Sequence, residues 1–399
     1  MSDADCSALL TPARRELVER VATLGPAFAA RSAAVDAEAA FPHRNWADLR
    51  AAGLLGIAIP TEHGGLGADF VGYALAAEEL GRYCGSTGLT FNMHVATTML
   101  VGPLADLMTL NTSASTFLTA RRSTLWSGVI ERGDVHSQPF SEGIAAGATA
   151  GYSTMAVPTG EGYSVSGRKI FASSSGASTW HNVLCHVEGD PLLRLMGVAH
   201  DDPGMTIEGM WDPLGMRGTD SRNLVLDQVY VPEERNWLPP GLFEQIAERF
   251  PYFYLTLSFT YLGMMRAIRD FTSDYLRSGG RRDHPIKQQG WAQMNLIYEH
   301  AQALMYRVLA EAAADPSEAQ LRRAQAALVS VMEGAPQMAS IAVRTCGGRS
   351  MLRPSYIEQA YRDARCGATM LPWSVEVCLE RLGASGLYDD VEYREEDER

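Results

Sequence analysis

The chain has 399 residues, 46% of them hydrophobic and 20% charged, a balance that suits two or three globular domains with a large core and excludes a disordered or fibrous chain. Its formal net charge of −13 argues against nucleic acid or an anionic membrane surface as the main partner, since either would repel it. The six cysteines, at positions 6, 84, 185, 346, 366 and 378, form no CxxC pair and no Cys/His cluster. They read as scattered thiols of a cytoplasmic protein, with neither a disulfide framework nor a zinc site indicated. The N-terminal MSDADCSALLTPARRELVERVATLG begins acidic and carries no long apolar run, so no signal peptide or membrane span is expected.

Thr11-Pro12 opens the first predicted helix, with an N-cap hydroxyl followed by proline at the first helical position, and the helix runs to about Ala40. A second covers Asn45 to Ala52 and stops at Gly53; Thr61 to Gly67 form a glycine-rich loop, and Asp69 caps a third helix that carries Glu78 and Glu79. Residues 89–125 continue as helix with breaks at Gly102-Pro103 and Asn111. From about Leu125 the composition turns to Gly, Ser, Thr and Val, and Val183 to Val187, Leu193 to Val198 and Asn223 to Val231 are expected to be strands of a small antiparallel sheet or barrel. After Pro232, Pro239 and Pro240, helical spacing returns over 242–277, 286–314, 317–346 and 355–384, long enough for an antiparallel bundle. The expected domains are therefore helical 1–124, β 125–237 and helical 238–399, with the terminal EYREEDER as a charged tail.

Residues 162–178, GYSVSGRKIFASSSGAS, stand out within the β region. Tyr163, Val165, Lys169 and Phe171 favour strand, Gly167 is expected to mark a tight turn between two short strands, and Ser173, Ser174, Ser175 and Gly176 follow at once. A loop of small polar residues lets backbone approach a planar ligand and offers N–H and O–H donors to its heteroatoms.

The α–β–α order and four stretches together resemble the acyl-CoA dehydrogenase family. LRAAGLLGIAIPTEHGGLG (49–67) with EELGR (78–82), the 162–178 segment, GMRGTDSRNLVLDQVYVP (215–232), and RTCGG (344–348) with YRDAR (361–365) occur in the family's order. The resemblance covers about residues 41–385. It implies an N-terminal helical domain, a central antiparallel β-domain and a C-terminal four-helix bundle holding FAD, with a homodimer or homotetramer that shares cofactor between subunits. It further implies an acyl thioester substrate, on CoA or an acyl-carrier protein, and an electron acceptor such as an electron-transfer flavoprotein or oxygen. Carried over residue by residue, Phe171-Ala172-Ser173 stands for the family's flavin-contacting Trp-Ile-Thr, so Phe171 becomes the wall on the ring, Ser173 the donor to N5 and Ser174 a backbone contact. Arg344, Gly347 and Gly348 fall where the family approaches a neighbour's FAD, while Trp373 and Ser374 fall just after its catalytic loop. Arg281 or Arg282 takes the place of the arginine that reaches a neighbour's pyrophosphate. Of the family's phosphate-covering run before the sheet there is no clear copy, VIERGDVHSQPF (129–140) standing in its place with Glu131 as the residue aligned.

Family dehydrogenation removes an α-proton with a carboxylate of raised pKa while hydride leaves the β-carbon. Counting from Arg362 places Leu371 at the usual glutamate, and the alternative position on the first long bundle helix falls near Phe253; neither side chain can take a proton. Glu248 and Glu376 lie off these positions, and Asn92, His94 and Glu131 are loose candidates, His94 reading best as a buried structural histidine. Three readings follow: a thioester oxidoreductase with a non-standard base, a flavin monooxygenase of the same fold, and a catalytically silent family member.

Overall fold

The computed structural model describes residues 9–143 and 152–388. Its first helices are α1 (Pro12–Glu38), α2 (His43–Ala51), α3 (Phe70–Tyr83), α4 (Gly85–Val101) and α5 (Thr112–Ser127). The starts of α1 and α3 have the chemistry read from sequence. Thr11 accepts the Arg14 N–H at 3.3 Å and Asp69 accepts the Gly72 N–H at 2.7 Å, each satisfying a donor that the first helical turn leaves unpaired. Helical backbone persists past the change in composition at Leu125, because α5 runs into a π turn at Gly128–Arg132.

Seven strands follow: β1 (His136–Ser137), β2 (Met155–Thr159), β3 (Gly162–Ala172), β4 (Trp180–Val187), β5 (Asp190–Ala199), β6 (Met205–Glu208) and β7 (Arg222–Pro232). Their order is β1-β4-β2-β3-β7-β6, with β5 added on β4. Most neighbours are antiparallel, while β1 and β2 each run parallel to β4. The expected turn at Gly167 is corrected. The turn is the two-residue loop Gly160-Glu161 between β2 and β3, and Gly167 lies inside β3, where the register with β7 shifts between Val165 and Gly167. Its glycine serves packing: a Cβ there would stand 2.4 Å from the Thr154 Oγ1.

The C-terminal helices are α6 (Leu242–Arg249), α7 (Thr256–Ser278), α8 (Pro285–Glu311), α9 (Glu318–Cys346), α10 (Tyr356–Arg365) and α11 (Val375–Leu387). Two of the long runs expected from periodicity are each two helices. Pro251 opens a 3-10 turn between α6 and α7, and Pro372 falls between α10 and α11, because proline removes the N–H that a continuing helix needs. Helix α9 has the length and hydropathy of a bilayer span, yet Leu328, Val331, Met332, Met338 and Ala342 on it are buried within the protein.

One hydrophobic core runs through the N-terminal helices and the bundle, and a smaller one fills the sheet. The two helical regions meet where α3 crosses α7, with Gly81 and Gly263 at the crossing. A Cβ on Gly81 would lie 2.1 Å from the Thr260 carbonyl oxygen, and one on Gly263 would lie 1.9 Å from that of Glu78, so only glycines admit this backbone approach. The RDAR stretch fastens a second seam. Arg362 donates to both Asp36 oxygens at 2.8 and 2.6 Å and to Glu358, tying α10 to α1, while the neighbouring Asp363 accepts the Met216 N–H at 2.5 Å. Burial pushes Asp363 up to about 6, the Met216 bond opposing it.

Candidate active site

Between α4, the sheet and the start of the bundle lies a cavity of about 870 Å³. Helix α4 presents Leu89, Asn92, Met93 and Ala96, spaced as one helical face. Phe171 and Ser173 come from the end of β3, Thr219 and Ser221 from the loop before β7, Phe253 and Tyr254 from the turn before α7, and Met370 and Leu371 from the segment after α10. Phe140, Tyr152, Trp211 and Phe243 add further aromatic wall.

Phe171 occupies a bulge at the end of β3 with φ +53°, a conformation that costs a bulky residue on the order of 1–3 kcal/mol and persists where the surroundings impose it. Its ring is 62% exposed and stands edge-on to Trp211 at 6.2 Å, so a large apolar face is offered to the cavity. Beside it Ser173 Oγ lies 2.9 Å from Ser221 Oγ, which lies 2.8 Å from Thr219 Oγ1, and Thr219 donates to the Met216 carbonyl at 2.9 Å. Since Thr219 gives its only proton to Met216, Ser221 donates to Thr219 and Ser173 heads the chain, where its proton turns toward either Ser221 or a cavity ligand.

Glu142 is the only carboxylate among the described residues lining the cavity. Lys169, a fully buried side chain on β3, approaches it at 2.5 Å and also donates to the Leu184 carbonyl at 2.7 Å. Ser153 and Thr154 add hydroxyl and backbone donors to the same carboxylate. Burial alone would raise the Glu142 pKa; the hydrogen bonds from Lys169, Ser153 and Thr154 and the lysine charge outweigh it and bring it down to about 2. Glu142 was missed in the sequence because the phosphate-covering run was placed at 129–140, whereas the structure puts Glu131 exposed in the π turn, outside the cavity. Its signal was the lysine: of the two adjacent cations in the strand-favouring run 162–172, Arg168 and Lys169, strand alternation turns one inward, and that one needs a buried partner.

The structure gathers Phe171, Ser173, Phe253 and Leu371 around one cavity. Ser174 is fully buried outside its walls, its N–H spent on the Thr219 carbonyl. Trp373 packs behind the wall, 5.5 Å from the Tyr254 ring, and Ser374 uses its hydroxyl to cap α11 by accepting the Val377 N–H. Arg344, Gly347 and Gly348 lie away from the cavity at the end of α9, where Gly347 stops the helix with φ +85°. Arg281 covers the Tyr275 ring and Arg282 is exposed beside Asp283. Glu248 and Glu376 are exposed and line nothing. His94 is buried, its Nε2 on the Leu55 carbonyl and its Nδ1 accepting the His136 N–H, and burial lowers its pKa to about 4. It is a neutral structural histidine.

The lining accepts a flavin. Gln138 Nε2 and Trp211 Nε1 are closed-off donors in cavity-lining residues with no partner among the described residues, and an isoalloxazine ring carries carbonyl and ring-nitrogen acceptors along its edge. With Ser173 they supply hydrogen bonds, and Phe171 supplies the apolar face. These features define a flavin-dependent oxidoreductase.

The comparisons identify its family. The N-terminal, middle and C-terminal domain models of acyl-CoA dehydrogenase match residues 11–109, 141–229 and 243–371. The putative acyl-CoA dehydrogenase YdbM of Bacillus subtilis is 27% identical, covering 93% of this chain and 96% of that protein. The 3-sulfinopropanoyl-CoA desulfinase of Paraburkholderia xenovorans is 25% identical, covering 89% and 91%. Among solved structures, FMN-bound TdsC of Paenibacillus, a dibenzothiophene monooxygenase, superposes with a TM-score of 0.81 at 20% identity, covering 93% of this chain and 97% of that one. The chain belongs to the acyl-CoA dehydrogenase family, and it is a flavoprotein oxidoreductase of that type.

Proposed function

We propose that this flavoprotein acts on an acyl thioester, carried by CoA or an acyl-carrier protein, by a reaction that does not begin with a carboxylate removing the α-proton. One observation carries the reading. Leu371 and Phe253, at the two positions where the family keeps its base, face the same cavity, and the one carboxylate there, Glu142, is clamped by Lys169 with its pKa at about 2. Burial pushes Tyr152 well up, Tyr254 to about 12 and Cys366 to about 11, so none of the three is an anion near neutrality. Among the described wall residues a weakly acidic α-proton therefore meets no basic acceptor, which favours oxidation of a bond other than Cα–Cβ. The thioester itself is supported by the family models and by relatives whose names specify acyl-CoA substrates.

A flavin held here would supply the redox chemistry, with an electron-transfer flavoprotein or oxygen as the eventual acceptor of its electrons. The chain's residues position and enclose: Phe171 covers a ring face, Ser173 offers its proton at the head of the hydroxyl chain, Gln138 and Trp211 meet acceptors, and the aromatic walls keep water out. Arg365, held by Glu333 at 2.6 Å, is the cation in the lining.

The test has two arms. Incubation with hexanoyl-CoA in D2O should leave α-deuterium incorporation at the solvent rate, whereas a working carboxylate base would wash label in rapidly and overturn the reading. Anaerobic mixing with a panel of CoA and carrier-protein thioesters should bleach the flavin with at least one member. A second reading, a monooxygenase on an aromatic or amine substrate, is favoured by the aromatic lining together with the missing base. Bleaching by NADH with a reductase and by no thioester, followed by substrate-dependent oxygen uptake, would establish it.

A further inference from the structure

Asn92 sits on the cavity face of α4 and is 2% exposed. Behind it the Tyr73 hydroxyl, itself fully buried, lies 2.7 Å from Asn92 Oδ1 and has no other hydrogen-bond partner among the described residues. A buried O–H left without an acceptor costs about 1–3 kcal/mol, so Tyr73 donates and the amide is held with its oxygen toward α3. The Asn92 Nδ2 is then the remaining end. It makes no hydrogen bond among the described residues, yet it is absent from the polar atoms sealed from solvent without a partner. Its neighbours along the helix face, Leu89, Met93 and Ala96, are apolar. A lone oriented NH2 in an apolar wall is a donor waiting for an acceptor, and it is costly to meet with hydrocarbon.

We infer that Asn92 is a specificity residue, its amide N–H donating to a neutral oxygen acceptor, a ketone or ether, on the part of the substrate that packs against α4. The inference rests on reading this cavity as the substrate site and deepens it, restricting the acyl groups to oxygenated ones. Tyr73 is the positioning residue that keeps the donor aimed.

The experiment uses flavin-loaded protein and two matched pairs of probes. Acetophenone and ethylbenzene differ by one carbonyl, and their dissociation constants, read by isothermal titration, need no thioester chemistry. In Asn92→Leu, acetophenone should weaken by about tenfold, the equivalent of ~1.4 kcal/mol, while ethylbenzene binds as before or tighter. Tyr73→Phe should produce part of the same selective loss, and the double variant Tyr73→Phe/Asn92→Leu, which leaves no orphaned hydroxyl, should retain the full loss in a folded protein. Equal shifts for both probes, or binding of neither, would overturn the inference. So would loss of flavin from Asn92→Leu, since that assigns the donor to the cofactor. The second pair, 5-oxohexanoyl-CoA and hexanoyl-CoA, separates the two claims: if neither bleaches the flavin but the acetophenone effect holds, the thioester reading falls and the donor stands.

Discussion

In the proposed flavin site Ser173 would be the residue on which binding turns most directly, because it heads a one-way hydroxyl chain whose other members are committed. Removing its hydroxyl by Ser173→Ala should weaken flavin binding or slow its reduction, and Ser221→Ala, which takes away the competing acceptor, should leave flavin binding intact or tighten it. Dialysis against apo-protein and stopped-flow reduction measure both; unchanged occupancy and rate in Ser173→Ala would remove its role. Glu142 is legible in a different currency. Glu142→Gln leaves the buried Lys169 ammonium without a counter-charge, among neutral groups such as the Leu184 carbonyl and the Tyr152 ring, which should cost roughly 3–5 kcal/mol, and adding Lys169→Met should restore most of it. The lowered Glu142 pKa means that its contribution is present above the ordinary carboxylate value of 4.5 and is lost as pH falls toward 2. A thermal melt of Glu142→Gln within a degree of the parent at pH 7 would show that the pair stabilises nothing.

Between elements, what the sequence revealed followed the range of the interaction. Caps are local, so Thr11 and Asp69 were readable, and so were the strands at 183–187, 193–198 and 223–231. Gly167 misled because a glycine that admits a neighbouring backbone looks, in sequence, like a glycine that turns; the contact that distinguishes them comes from Thr154, the residue before β2. Periodicity carried 242–277 and 355–384 across Pro251 and Pro372 because spacing alone does not register a lost N–H. The motif EELGR was visible, but that its Gly81 meets Gly263 where α3 crosses α7 was not. At that crossing Glu78 is buried, with Tyr306 donating to it at 2.8 Å, and burial pushes its pKa up to about 7. A raised carboxylate favours the folded state at low pH, and that contribution is lost as pH rises from 4.5 through 7. Glu78→Gln, which cannot ionise, should therefore gain on the parent by up to roughly 3 kcal/mol between pH 4.5 and pH 8. Denaturant unfolding at the two pH values measures it, and a pH-independent difference would contradict the assignment.

At the scale of the whole molecule, the expectation that a flavin is shared between subunits can be tested at the end of α9. Phe171 and Ser173 line the cavity, whereas Arg344 and Gly348 lie exposed and Gly347 half-buried at the end of α9, away from it. A Cβ on Gly348 would meet nothing within 4 Å, so a side chain placed there perturbs only what docks from outside. This makes Gly348→Val a clean probe of whether a second subunit's cofactor reaches this surface. FAD carries an adenosine diphosphate arm that FMN lacks. If that arm crosses to a neighbour, Gly348→Val should lower FAD affinity by about tenfold or more, ~1.4 kcal/mol, and leave FMN affinity unchanged. Sedimentation should give a dimer or larger for the parent, since the arm needs a second copy to receive it. Equal loss of both flavins would point to damage transmitted to the cavity, and no loss of either would mean that the two glycines serve only to end the helix.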